Sequence, residues 1–198
     1  MTGIAIRGTG RYLPSLVVEN DDFTPFLDTS DEWIRSHTGI ERRHISVDEP
    51  VWYMGAEAAK QALAAAGVSP EQIDLILLTT VTPDYYFPSG SCLIQDAIGA
   101  KNAFCMDLSA ACAASTYALD MARRYLLTGD VDNVLIVSSE RLTQVTDFTD
   151  RASCVLFGDG AGACVVSRRE GALFSSHFEA DGAGARHLFA RHERKRTP

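Results

Sequence analysis

The chain has 198 residues, 46% of them hydrophobic and 22% charged, which is typical of a globular protein with a substantial core. Its formal net charge of −8 argues against nucleic acid as a partner, because no basic field attracts phosphates. The sequence contains no run of about eighteen apolar residues and its start lacks a signal-peptide pattern, so we expect no membrane span and a cytoplasmic location.

Apolar, β-branched runs alternate with helical patterns along the chain. In chain order we predict a strand at 4–8, helices at 31–36 and 55–66, a strand at 73–81, a helix at 90–98, a strand at 103–108, a helix at 112–127, and strands at 134–138, 155–157, 161–166 and 173–178. Thr29 or Ser30 is expected to cap the first helix, and glycines end the other three. This alternation predicts an α/β layered fold with a mostly parallel central sheet flanked by helices.

Burial can be predicted for several of these elements. The strands at 73–81 and 103–108 are apolar enough to be buried. In the helix at 112–127 the alanines are expected to face inward, and Asp120 and the two arginines that follow it are expected to face outward.

Composition changes near the end of the chain. Residues 1–182 carry the strand and helix patterns and are predicted to form one half-domain. Residues 183–198 are rich in Arg, His and Lys, have no periodic apolar face, and are predicted to form an irregular basic tail. Two interpretations stay open: a frayed terminus, or a chain that stops before a partner half.

The five cysteines show neither a C-x-x-C pair nor metal-ligand spacing, so we expect no metal site. Cys112 differs from the other four, because it follows a predicted buried strand, lies at the first turn of a predicted helix and has small neighbours (residues 107–115, DLSAACAAS). A helix N-terminus favours thiolate over thiol and can stabilise an oxyanion during acyl transfer. Taken alone, the pattern fits a nucleophile and a buried structural cysteine equally well.

Several segments occur together in the order found in one enzyme family. They are residues 8–14 (GTGRYLP), 29–34 (TSDEWI), 38–43 (TGIERR), 87–89 (FPS), 107–115, 149–151 (TDR) and 157–163 (FGDGAGA). Together they resemble the β-ketoacyl-acyl-carrier-protein synthase III family of the thiolase superfamily, over residues 3 to about 182.

This resemblance implies a thiolase-like fold of two similar α/β halves, of which the chain would form the N-terminal half. It also implies an acyltransferase of fatty-acid or polyketide biosynthesis. Cys112 would accept an acyl group from acyl-CoA, which is a substrate, and no permanently bound cofactor is implied. Decarboxylative condensation with malonyl-acyl-carrier-protein would follow, splitting a difficult carbon–carbon bond formation into two steps.

The same resemblance assigns residues to the binding of acyl-CoA. Trp33 and Arg151 would hold the adenine between them, since an indole face and a guanidinium plane both stack on a base. Thr29 would contact the same nucleotide end. His37 stands where the family usually has arginine, and histidine is mostly uncharged at neutral pH, so phosphate or carrier-protein contacts there are expected to be weakened or rearranged.

Phe87 would, by the same resemblance, reach into the acyl tunnel of a partner subunit, which implies a homodimer. The family also uses a histidine and an asparagine from its second half to stabilise the enolate during condensation, and no histidine of this sequence matches such a position. The chain could therefore be a condensing enzyme that needs a second half-chain, or a non-catalytic or split-subunit partner of a full-length synthase.

Overall fold

A computed structural model describes residues 2–171 and 175–190 of the chain. The strands are β1 (Thr2–Tyr12), β2 (Leu16–Glu19), β3 (Arg42–Ile45), β4 (Leu75–Thr79), β5 (Phe104–Leu108), β6 (Asn133–Arg141) and β7 (Asp159–Glu170). The α-helices are α1 (Asp31–Thr38), α2 (Val51–Ala66), α3 (Gly90–Ile98) and α4 (Ala114–Thr128). Among the described residues, none of the helices is long and apolar enough to cross a membrane.

The central sheet has the strand order β1-β7-β6-β4-β5. β4 pairs in parallel with both β5 and β6, whereas β7 is antiparallel to both β6 and β1. Four of the five strands therefore run in one direction and β7 runs in the other. β7 can return antiparallel because the chain between it and β6 forms a short 3-10 helix and turns rather than a crossover helix.

Helices cover both faces of this sheet. Small side chains of α2, among them Ala58, Ala59 and Ala62, are fully buried with α3 against one face. Ala118 and Ala122 of α4 are fully buried against the other face. The alanine-rich helix faces thus allow close packing of helix on sheet, and the predicted α/β layered fold is confirmed.

A smaller lobe lies beside the sheet. β2 and β3 form a two-stranded antiparallel sheet, and α1 lies between them in the chain. A separate apolar cluster holds this lobe together, with Phe23, Ile34, Cys154 and Val155 buried and Trp33 partly buried against them. This cluster thereby packs α1 against the turn that contains Cys154 and Val155, which is distant in sequence.

Two predicted strands near the end of the chain differ from the structure. Residues 155–157 lie in turns before β7 rather than in a strand. Of the strand predicted at 173–178, residues 173 and 174 lie outside the described residues, and residues 175–178 have no regular structure. In the predicted basic tail, a short 3-10 helix (Gly182–Arg186) is present, and residues 191–198 lie outside the described residues.

Two burial predictions are wrong. β5 is partly exposed, because it is an edge strand that pairs only with β4 among the described residues. Asp120 faces inward and is 5% exposed, and it accepts hydrogen bonds from Ser176, Arg124 and Arg123. These bonds lower the pKa of Asp120 to about 2, so that a charged group is tolerated inside.

Candidate active site

Cys112 lies in a 3-10 turn (Ala111–Ala113) that connects β5 to α4, and its side chain is exposed. The predicted helix at 112–127 therefore begins two residues later as an α-helix, at Ala114, because the preceding residues adopt the tighter turn. Ala111 has a φ of 46°, in the left-handed region that is strained for a residue with a Cβ. This sharp strand-to-helix turn presents the thiol to solvent just before the electropositive N-terminus of α4.

Shallow depressions border α4 next to this turn. One of about 220 Å³ is lined by Ser115, Leu119, Ser138, Gly162 and Cys164 among others. Ser115 is three residues after Cys112, and the residues that line the depression are mainly apolar or small. Within the described residues, no group of three or more His, Cys, Asp or Glu side chains is placed to hold a metal ion.

A second group of the predicted residues comes together around Trp33 on α1. The guanidinium carbon of Arg151 lies 3.9 Å from the centroid of the Trp33 ring. The ring of His37 stacks on the same indole at a centroid distance of 4.4 Å, with an interplanar angle of 26°. The His37 Nδ1 atom is 2.8 Å from the Trp33 carbonyl oxygen, so His37 is part of this stack.

Two polar atoms of this group are left without partners. Thr29 lies just before Ser30, whose hydroxyl caps α1 by accepting a hydrogen bond from the Trp33 amide at 3.1 Å. The Thr29 Oγ1 and Arg151 Nε atoms are buried, and neither has a hydrogen-bond partner within the described part of the chain. Buried polar atoms normally have hydrogen-bond partners, so these two atoms are exceptions to that pattern.

The direct contact between Trp33 and Arg151 bears on the prediction that an adenine lies between them. At a distance of 3.9 Å, the Arg151 guanidinium and the Trp33 ring are already in direct stacking contact. Since each stacked layer takes about 3.5 Å, one of the two planes must move by about that distance to admit a base. The structure thus brings the two residues together but leaves no space between them for adenine.

Phe87 lies on a surface segment between β4 and α3, and its side chain is 85% exposed. Two carboxylates anchor this segment. Asp84 accepts backbone hydrogen bonds from the first two residues of α2, both at 3.0 Å. Asp107 of β5 accepts them from the first two residues of α3, at 2.8 and 3.0 Å. Because Asp107 is five residues before Cys112, it links the Phe87 segment to the turn that carries the thiol.

Iodoacetamide is expected to modify Cys112 and Cys92 well before the other three cysteines. Burial raises the pKa of the Cys105 thiol to about 12 and that of Cys164 to about 11, and it also raises the pKa of Cys154. Only the thiolate is nucleophilic, so these three react slowly at about pH 8 and faster as the pH rises. Peptide mass mapping over time measures this order, and early modification of Cys164 would contradict it.

The sequence of the chain matches known condensing enzymes. The family described as 3-oxoacyl-[acyl-carrier-protein] synthase III matches residues 106–191. The chain is 52% identical to beta-ketoacyl-[acyl-carrier-protein] synthase III 1 of Bacillus anthracis over 190 residues, which are 94% of this chain and 61% of that protein. It thus spans about three fifths of the length of this and other curated relatives that it matches.

Solved structures agree with this match. The synthase III of Thermus thermophilus superposes with a TM-score of 0.90 at 40% identity, covering 98% of this chain and 61% of that one. The priming β-ketosynthase of the R1128 polyketide pathway superposes with a TM-score of 0.82 at 41% identity, covering 85% and 51% of the two chains. The fold and the cysteine at its strand-to-helix turn define a thiolase-like α/β protein. More narrowly, the chain is similar in sequence and fold to proteins of the 3-oxoacyl-[acyl-carrier-protein] synthase III family, and the resemblance inferred from the sequence is confirmed.

Proposed function

We propose that the chain is part of a 3-oxoacyl-[acyl-carrier-protein] synthase III-type acyltransferase in which Cys112 takes the acyl group of acyl-CoA. The observation that carries this proposal is the exposed Cys112 thiol in a strained turn before α4, in a chain so similar to enzymes of that name. The Cys112 sulfur would attack the thioester carbonyl and form a new carbon–sulfur bond. The bond to CoA would break, and CoA would leave as a thiol after taking up the proton that Cys112 gave up.

The group around Trp33 would bind the nucleotide end of acyl-CoA. Trp33 and Arg151 would stack on the adenine after the contact between them opens, and Thr29 Oγ1 and Arg151 Nε would gain partners from the ligand. Binding far from the reacting carbon orients the thioester toward Cys112 and so contributes to the rate of acylation. His37 is stacked on Trp33, so it would contact the ligand through its imidazole ring at a position where the family usually has arginine.

The complete reaction would condense the acyl group with malonyl-acyl-carrier-protein, in fatty-acid or polyketide biosynthesis. That step uses the histidine and asparagine that the family resemblance implies, for which the present sequence offers no matching positions. We further propose a homodimer in which the exposed Phe87 enters the acyl tunnel of a second copy, since the relatives lend no support to a separate half-chain. Five free thiols fit a reducing compartment, so we place the reaction in the cytoplasm.

Intact-mass spectrometry after incubation with acetyl-CoA and longer acyl-CoAs tests the acylation step. We expect the mass of the protein to increase by that of one acyl group, and we expect peptide mapping to locate this group on Cys112. The matched control is the same acyl group on pantetheine, which lacks the nucleotide and is expected to react about tenfold more slowly because base stacking is lost. No adduct with any donor, or an adduct mainly on Cys92, would refute the proposal, and equal rates with both donors would refute its nucleotide site.

A further inference from the structure

Arg43 of β3 is a buried cation that the reaction described above does not use. Arg43 is only 5% exposed. The Arg43 Nη2 atom donates hydrogen bonds to Asn20 Oδ1 at 2.7 Å and to the Val155 carbonyl at 3.1 Å, and Nη1 donates to the Val18 carbonyl at 3.2 Å. Burying a charge is costly unless it is hydrogen-bonded, and these bonds hold two separate segments, residues 18–20 and the turn at Val155, to one guanidinium.

Asn20 carries this connection to the helix that bears Trp33. It is 1% exposed, and its Nδ2 atom donates to Asp31 Oδ1 at 2.8 Å and to the Ile40 carbonyl at 2.7 Å. Asp31 is the first residue of α1, and Ile40 follows the glycine that ends it. One amide group therefore holds both ends of α1, and Trp33 lies between those ends.

Val155 carries the connection to Arg151. The two residues lie four positions apart, in a turn in which the Cys154 amide donates to the Asp150 carbonyl at 3.0 Å. Gly158 lets this part of the chain approach β3, since a Cβ there would lie 2.9 Å from the His44 carbonyl oxygen. The turn that bears Arg151 is thus fixed to the same guanidinium as α1.

We infer that Arg43 is a positioning residue, which sets the separation and orientation of Trp33 and Arg151 through Asn20 on one side and Val155 on the other. Its effect on acyl-CoA binding rests on the proposed function, whereas its effect on the stack does not. Lysine cannot replace it, because a single ammonium lacks the planar fork that reaches Asn20, Val155 and Val18 together. Arg43 also lies over the Phe23 ring, 4.7 Å from its centroid.

The test compares Arg43→Lys with Arg42→Lys, the exposed neighbour on β3, both in a Trp52→Phe background in which Trp33 is the remaining tryptophan. The first measurement is quenching of Trp33 fluorescence by acrylamide. We expect Arg43→Lys to raise the quenching constant about twofold, close to the value of Arg151→Ala, because Arg151 no longer shields the indole. Arg42→Lys is expected to match the unaltered chain.

The second measurement is the affinity for CoA, and its change is compared with the change in the rate at which iodoacetamide modifies Cys112. We expect Arg43→Lys to weaken CoA binding about tenfold while the alkylation rate changes less than about twofold, since the partners of Arg43 lie on both sides of the Trp33 group and none lies in the Cys112 turn. Unchanged quenching in Arg43→Lys would overturn the inference. So would a loss of CoA binding matched by an equal change at Cys112, because that result shows general unfolding.

If the unaltered chain fails to bind CoA, the proposed nucleotide site is refuted, and the quenching result alone decides the role of Arg43. If Arg43→Lys does not fold by circular dichroism, the same measurements are made on Asn20→Ser. That variant leaves the guanidinium in place, removes the bonds to Asp31 and Ile40 at the two ends of α1, and removes the amide oxygen that accepts from Arg43. Raised quenching of Trp33 in a folded Asn20→Ser protein supports the inference, and quenching equal to that of the unaltered chain overturns it.

Discussion

The Cys112→Ala variant is expected to carry no acyl group after incubation with acyl-CoA, whereas the unaltered chain gains one. The rate of acylation should fall by at least about 10³-fold, because no other group takes over the role of a missing nucleophile. Burial raises the pKa of the thiols of Cys105, Cys154 and Cys164, so those side chains are poor substitutes. Cys112 is exposed, and its loss should change the stability of the fold by less than about 0.5 kcal/mol.

Cys92→Ala is the matched control for this experiment. Cys92 is also exposed, but it lies on α3, and its sulfur is 3.1 Å from the Ser89 hydroxyl rather than at the start of α4. We expect Cys92→Ala to be acylated at the rate of the unaltered chain. Acylation of Cys112→Ala, or loss of acylation in Cys92→Ala, would show that the acyl group is carried at a different thiol.

Features set by a few neighbouring residues could be predicted from the sequence. The start of α1 follows from the Ser30 hydroxyl, as predicted, whereas its end lies at Thr38 rather than at the predicted residue 36, because Gly39 with a φ of 74° ends it. The bounds of α3 are those predicted, because Gly99 ends it in the same way. These capping signals depend only on residues close in sequence, so the fold as a whole does not change them.

Features that depend on distant partners could not be predicted. The residues 155–157 read as a strand from their apolar side chains, yet Val155 instead buries its side chain in the small lobe and accepts a hydrogen bond from Arg43. Asp120 has the helical position of a surface residue, yet it is buried and accepts a hydrogen bond from Ser176, which lies far along the chain. Only the family resemblance implied that Trp33 and Arg151 belong to one site, and it placed an adenine between them, whereas the structure shows the two side chains in direct contact.

The second prediction with a large effect concerns Gly10 on β1, where the sheet meets α2. A Cβ at this position would lie 2.1 Å from the Ala58 carbonyl oxygen and 2.6 Å from the Ala62 amide nitrogen. Both atoms belong to the backbone of α2, which cannot move aside as a flexible side chain can. β1, at one edge of the described sheet, and the alanine face of α2 approach each other this closely only because glycine has no Cβ.

Gly10→Ala is therefore expected to lower the free energy of unfolding by about 3–5 kcal/mol and the melting temperature by roughly 10–15 °C, because the helix must be pushed off the sheet. Gly162→Ala on β7 is the matched control: a Cβ there meets nothing within 4 Å, and we expect its melting temperature to stay within about 2 °C of the unaltered chain. Thermal unfolding followed by circular dichroism measures both. Equal melting temperatures for the two variants would mean that β1 and α2 are not packed backbone to backbone. A selective loss in Gly10→Ala would show that the sheet supporting the Cys112 turn depends on this close approach.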